Sequence, residues 1–268
     1  MNPEILKTRI IEIKNIGPCI VRLCKPEDGP KIYNEVEEKN WPPWLSAKRE
    51  TLSGRARIFP EGQLIIRKLV GDEILATLST NRFNWDGNPT SLPSWDSAAG
   101  KPPDFSKTYI LDGNTLDMVS MNVHPEYWKY GLAPLMIELI KEQAKALGIT
   151  HLIGDFRPNE FGEFKSKENN WQVDFEEYCN RTQDNRPIDG WLRNLMRNGM
   201  VPLIVDRQAM TVVVSLKEFN QYKSSYFPEK WKEVAKGVWE CGQVGQWKVD
   251  EKEAVYQESN LWGQIPME

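Results

Sequence analysis

One stretch constrains this chain more than any other. Residues 116–156 read LDMVSMNVHPEYWKYGLAPLMIELIKEQAKALGITHLIGDF. Apolar and β-branched residues over 115–123 predict a strand. Leu132, Leu135, Met136, Leu139, Ile140, Ala144 and Leu147 recur at helical spacing, so 131–147 is a helix, stopped by Gly148. Residues 150–156 form the next strand. Small residues, Gly131 and Ala133, sit where the chain turns into the helix, and Pro134 is tolerated there because first-turn N–H groups have no partner. Those N–H groups and the helix dipole together suit an anion such as a phosphate.

The flanking sequence supplies further elements. Residues 19–23 (CIVRL) read as a strand, and an amphipathic helix begins near Pro26 and Asp28. The prolines of 41–44 (WPPW) impose a turn. Ser46 is placed to cap a second helix. Runs 63–70 and 73–80, parted by Gly71 and Asp72, make a hairpin. Residues 84–107 are rich in Pro, Ser, Asn, Asp and Gly and form a loop that covers a pocket. Residues 157–190 read as an insertion. Residues 191–200 give a short helix ended by Gly199. Runs 201–205 and 209–216 give another hairpin. After 219, a helix near 228–236 and two small strands form an appendage that covers the sheet or pairs with a second copy to give a homodimer. The expected division is thus a domain over 1–218 with an appendage over 219–268 packed on it.

Charge and composition exclude several classes. The 34 Lys and Arg are outnumbered by 38 Asp and Glu, a net charge of −4, which argues against a nucleic-acid or anionic-membrane partner. No apolar run reaches the roughly 18 residues of a membrane span. The N-terminal stretch lacks the apolar block of a signal peptide. Cys19, Cys24, Cys179 and Cys241 form no CxxC pair, and His124 and His151 are the only histidines, so no metal is expected. These features describe a reduced, cytoplasmic protein.

The sequence Trp128-Lys129-Tyr130-Gly131-Leu132-Ala133, between a strand and a helix, resembles the GNAT N-acetyltransferase superfamily, whose signature is Gln/Arg-x-x-Gly-x-Gly/Ala. Gly131 and Ala133 match, and Trp128 replaces the leading Gln or Arg. The stretches FPEGQ, RPNEF, EEY and DGWLRNLMRNGM are similar to the GNAT domains fused to carbon–nitrogen hydrolases and, more distantly, to GNAT-like domains that load polyketide synthases. The resemblance implies an α/β fold with a mixed central sheet and a splayed central strand pair, flanked by helices. It implies coenzyme A, as acetyl-CoA, for the cofactor. Trp128, Lys129, Tyr130, Gly131, Leu132, Ala133 and Pro134 would line its pyrophosphate. Met121, Asn122 and Val123 would lie beside pantetheine.

Acyl transfer needs an oxyanion donor, a base and a departing thiol. By the resemblance, the Met121 amide is the oxyanion donor. Asp117 is the candidate base, eleven residues before Trp128, where histone-acetyltransferase-type members carry Glu. Its plain alternative is a hydrogen bond to a neighbouring N–H. Ser120 and His124 are secondary candidates, His124 being better suited to a turn. His151, Glu160 and Glu163 are set aside. Where many members place a Tyr as general acid, this chain has Leu195, with Tyr178 as a substitute.

Three functions follow. The first is transfer from an acyl-CoA donor to an amine. The second is transfer to a carrier-protein thiol, with or without decarboxylation. The third is a CoA-binding module without turnover, to which the departures at Trp128 and Leu195 point.

Overall fold

The computed structural model describes residues 5–100, 102–167, 171 and 173–267. Parts of the expected loop 84–107 and insertion 157–190, and the first four residues of the N-terminal stretch, therefore lie outside it. The chain divides into two compact units, one of residues 1–93, 97–154 and 265–268, the other of 94–96 and 155–264.

The first unit is built on a sheet ordered β1 (Arg9–Ile13), β2 (Gly17–Leu23), β3 (Gln63–Lys68), β4 (Ile74–Phe83), β5 (Thr115–Val123) and β6 (His151–Phe156). Neighbours up to β5 pair antiparallel, and β5 pairs parallel with β6. The sheet is mixed and flanked by helices, as expected for an α/β chain. Its middle strands are buried along most of their length, which the runs Leu64–Ile66 and Ile74–Ala76 make possible without partnered charge. The helix Leu132–Ala146 buries Leu132, Met136, Ile137, Leu139, Ile140 and Ala144 as one stripe. Gln143 belongs to that stripe and is satisfied: Nε2 donates to the Glu61 carbonyl and Oε1 accepts from the Leu6 amide, both at 2.8 Å. The region expected as one helix from Pro26 is a 3-10 turn followed by helical turns Gly29–Ile32 and Glu38–Asn40 around a π turn, Tyr33–Glu37. The following helix is Arg49–Ile58; its cap position is Lys48, not Ser46.

The second unit departs more from expectation. The predicted hairpin 201–205/209–216 is one strand, β9 (Val201–Ser215), after the two-residue strands β7 (Thr182–Gln183) and β8 (Arg186–Pro187). Asp206 does carry turn chemistry, its Oδ1 accepting from the Gln208 amide at 2.9 Å. That turn only bulges the strand, because β9 pairs on both sides of it with β13 (Glu253–Gln264). The expected helix 228–236 is instead a 3-10 turn, Pro228–Lys230, and a strand, β10 (Lys232–Ala235). The helix lies earlier, at Leu216–Ser225, where Ser215 and Glu218 form a reciprocal capping box. β11 (Val238–Glu240) and β12 (Gln246–Val249) complete the meander to β13. Pairing of β13 with β9 runs across the expected boundary at 218/219, and residues on both sides of it belong to this unit. The insertion contains the helices Phe161–Lys167 and Phe175–Asn180.

Gly113 sets where β5 begins. Its amide donates to the Ile110 carbonyl at 3.0 Å, and its carbonyl accepts from Arg82 Nε at 2.7 Å. A Cβ here would lie 2.6 Å from the Phe83 carbonyl oxygen. Gly113→Ala is therefore expected to cost about 1–3 kcal/mol by overpacking against backbone, measured as a lowered urea midpoint by circular dichroism.

Candidate functional site

The site grows from the hydrogen-bond parity of β5. The His124 amide donates to the Leu75 carbonyl at 2.9 Å, so residues two and four earlier, Asn122 and Ser120, also turn their backbone groups toward β4. Met121 and Val123 therefore present N–H and C=O to the opposite edge. β6 pairs with that edge only over Thr115–Asp117. From Met118 onward the two central strands splay, as the resemblance implies.

A bulge adds a second consequence. Ser79 opposes Ser120 while Thr80 opposes Met118, so Val119 is the extra residue. The bulge shifts the alternation by one and puts the side chains of Asp117, Ser120 and Asn122 on one face. Thr77, Ser79 and Asn81 lie across from them on β4.

Helical residues close over this polar face. Glu37 is buried; its Oε1 accepts from the Ala47 amide at 2.8 Å and its Oε2 from Asn122 Nδ2 at 2.6 Å. Burial raises the Glu37 pKa, against the lowering effects of the Ala47 amide, Arg55 and Asn122. Trp41 Nε1 donates to Asn122 Oδ1 at 2.8 Å. Arg55 is buried with its guanidinium carbon 4.9 Å from the centre of the Phe105 ring. Desolvation pulls its pKa down to about 10, opposed by the charges of Glu37 and Asp117. A small cavity lies under this cover, lined by Glu37, Gln63, Thr77, Ser79, Ser120 and Asn122 with apolar neighbours. Part of the 84–107 loop packs here too: Asn81 Nδ2 donates to the Ala98 carbonyl at 2.7 Å, and Phe105 is fully buried.

Asp117 is 0% exposed, and neither carboxylate oxygen has a hydrogen-bond partner among the described residues. The plain alternative, a bond to a neighbouring N–H, is thus not made. Burial pushes its pKa up to about 8, with Arg55 acting in the opposite direction. At neutral pH this carboxyl is mainly protonated, at the foot of the splay.

The bend into the helix is open. Gly131 is the helix N-cap at φ 78°, where a side chain other than glycine is strained, and a Cβ there would meet nothing within 4 Å. Lys129 also has positive φ, 74°. The Tyr130 amide is engaged with the Tyr127 carbonyl at 3.3 Å, whereas the first-turn amides of Leu132 and Ala133 have no intrahelical acceptor. Pro134 has no N–H. Trp128 and Tyr130 are 56% and 42% exposed. Trp128 Nε1 donates to the Val123 carbonyl at 3.0 Å, which joins the bend to the open edge of β5.

The remaining candidates have other surroundings. His124 Nδ1 accepts from the Glu126 amide at 3.3 Å and Nε2 is 2.9 Å from Lys39 Nζ, so this ring holds the turn. Its ligand atoms cluster with those of Glu73 and Glu126 within 4.8 Å, but Lys68 Nζ already pairs with Glu73 at 2.8 Å. His151 meets the edge of Trp85 at 4.9 Å. Glu160 and Glu163 are exposed. Leu195 is fully buried in the helix Gly190–Arg197. The buried Tyr178 hydroxyl donates at 3.1 Å to Asp189, the cap of that helix. Glu37, Arg55 and Trp41 had no sequence signal: on an amphipathic helix, charged residues read as a solvated face.

No protein-family model matches the chain, and no curated protein matches it in sequence. Solved structures do. A GNAT-like decarboxylase, GphF, in complex with isobutyryl-CoA is 16% identical at a TM-score of 0.61, over 92% of this chain and 99% of that one. The loading GNATL domain of CurA from Lyngbya majuscula is 13% identical at a TM-score of 0.57, over 93% and 98%. Among the described residues no helix is long and apolar enough to cross a membrane. The splayed β5–β6 pair, the glycine-led helix that connects its strands and these two likenesses together give this chain the GNAT fold.

Proposed function

We propose that the chain is an acyl-CoA-dependent acyltransferase that acylates an amine. The observation carrying this reading is one conjunction: an unplugged bend with spare helix amides, adjoining a strand edge from which Met121 faces outward. The amides at Leu132 and Ala133 would take the pyrophosphate of coenzyme A. Met121 and Val123 would run beside pantetheine as a neighbouring strand would. The Met121 N–H would then bond the thioester oxygen as negative charge develops there.

In this reaction the amine nitrogen attacks the thioester carbon, the C–N bond forms and the C–S bond breaks. Asp117 accepts the amine proton. A base with a pKa near the working pH combines a useful deprotonated fraction with real proton affinity. The finer choices, acetyl as the acyl group and an amine as acceptor, rest on the resemblance and on Asp117.

Transfer to a carrier-protein thiol is the second reading. It is favoured by what the two similar structures are called, a decarboxylase holding isobutyryl-CoA and a loading domain. Incubation with acetyl-CoA and either an amine panel or a carrier protein bearing its free thiol separates the two. Free thiol released with amines supports the first; an acyl mass increment on the carrier supports the second.

Two further outcomes are expected. Acetyl-CoA at a hundred times Kd should add about 2.7 kcal/mol to the native state, visible as a rise in Tm, and Gly131→Glu should remove that rise by placing a carboxylate at the diphosphate. An unchanged rise in the variant would end the site assignment. Asp117→Asn should lower kcat by roughly 10²–10⁴-fold and remove a rise in rate through pH about 8.

The same variant is expected to gain stability. The folded pKa of Asp117 lies above the ordinary aspartate value of 3.8, so the native state holds a proton that the unfolded chain releases. Stability attributable to this group is therefore greatest below pH 4 and declines as pH rises toward 8. Asn mimics the protonated form, so the Tm advantage of Asp117→Asn should be absent at pH 4 and widen up to pH 8.

A further inference from the structure

The Val123 carbonyl faces the open edge of β5, and it is already saturated. A carbonyl oxygen has two lone pairs. One accepts from Asn40 Nδ2 at 3.2 Å, the other from Trp128 Nε1 at 3.0 Å. Asn40 is fixed from both sides, since the same Nδ2 also donates to the Val36 carbonyl at 2.6 Å. Trp128 is held differently. Its ring is more than half exposed, and it precedes two positive-φ residues, Lys129 and Gly131, across the intervening Tyr130.

We infer that Trp128 is a latch on the coenzyme A path: its indole N–H occupies the Val123 carbonyl in the free protein and must leave it when acyl-CoA enters. The inference rests on the proposed CoA site and goes beyond it. A pantetheine amide N–H running along this edge needs a carbonyl lone pair, and at Val123 the replaceable donor is the indole. The residue standing where the resembled family has Gln or Arg thus sets how tightly the donor is held. It is a positioning residue, acting through the strand edge and not on the reacting atoms.

Trp128→Phe keeps an aromatic ring and removes the indole N–H. A latch predicts that the variant binds coenzyme A about three- to tenfold more tightly by calorimetry, one competing hydrogen bond having been removed. It also predicts that coenzyme A changes the tryptophan emission of the parent chain, and that this component is missing in Trp128→Phe. A purely structural bond would give equal or weaker binding in the variant. Unaltered affinity and kinetics in Trp128→Phe, with coenzyme A binding intact in the parent, would overturn the latch and leave the CoA site standing. Absence of heat with both proteins would overturn the two together. The exposure of Trp128 keeps folding out of the comparison, and equal Tm values for the two free proteins check it.

Discussion

A single extra residue governs the candidate site. Were Val119 paired in regular alternation instead of bulged, Asp117 would face away from Ser120 and Asn122. With it, three polar side chains share one face while Met121 and Val123 still turn their backbone outward. The bulge therefore lets one strand serve two surfaces, a polar interior on its face and, at its side, an edge with no partner strand. Splaying follows from the same strand. β6 leaves β5 after Asp117, and the edge it abandons is the one that Met121 and Val123 address.

The polar interior is costly, and its organisation shows where the cost is met. Glu37 is fully engaged: the Ala47 amide and Asn122 hold its two oxygens, and Trp41 in turn holds Asn122. These bonds tie the π turn and the WPPW turn to β5, so a buried carboxyl becomes a fastening between helix and sheet. Asp117 is the opposite case. It has burial without hydrogen bonds, and it remains by keeping its proton. An unsatisfied buried carboxyl is a poor structural element, costing on the order of 1–3 kcal/mol or more. The proposed reaction gives that cost a use, since stability is commonly surrendered where chemistry is done.

Much of the first unit was legible because its signals are local. Period and composition placed 115–123 as a strand to the residue, and the helix after it to within one residue at each end. The bend was readable because glycine is required there. The bulge at Val119 was not, since TLDMVSMNV alternates equally well with or without it. Nor was the polar cover: Glu37 and Arg55 are charged residues on short helical segments, and only tertiary packing makes them interior. In the second unit, turn residues misled. Asp206 to Gln208 looks like a reversal, yet pairing with β13 on both sides outweighs it. The Ser215–Glu218 capping box was a readable helix start that the aromatic-rich tail obscured.

In the proposed reaction the departing sulfur needs no dedicated acid. Leu195 offers no proton, and the Tyr178 hydroxyl is engaged with Asp189, whose carboxylate also caps the helix carrying Leu195. Burial and Asp189 raise the Tyr178 pKa further, which makes its proton harder to give up. A thiol has a pKa of about 8.5, so it can leave as thiolate. Asp117, raised to about 8, lies close to that value. In the proposed reaction a proton taken from the amine can pass on to the thiolate at little free-energy cost. One carboxyl can then act as base in the first half of the reaction and as proton reservoir in the second. Matching those two affinities requires an Asp kept dry and unbonded on the face of a bulged strand, which is the arrangement found here.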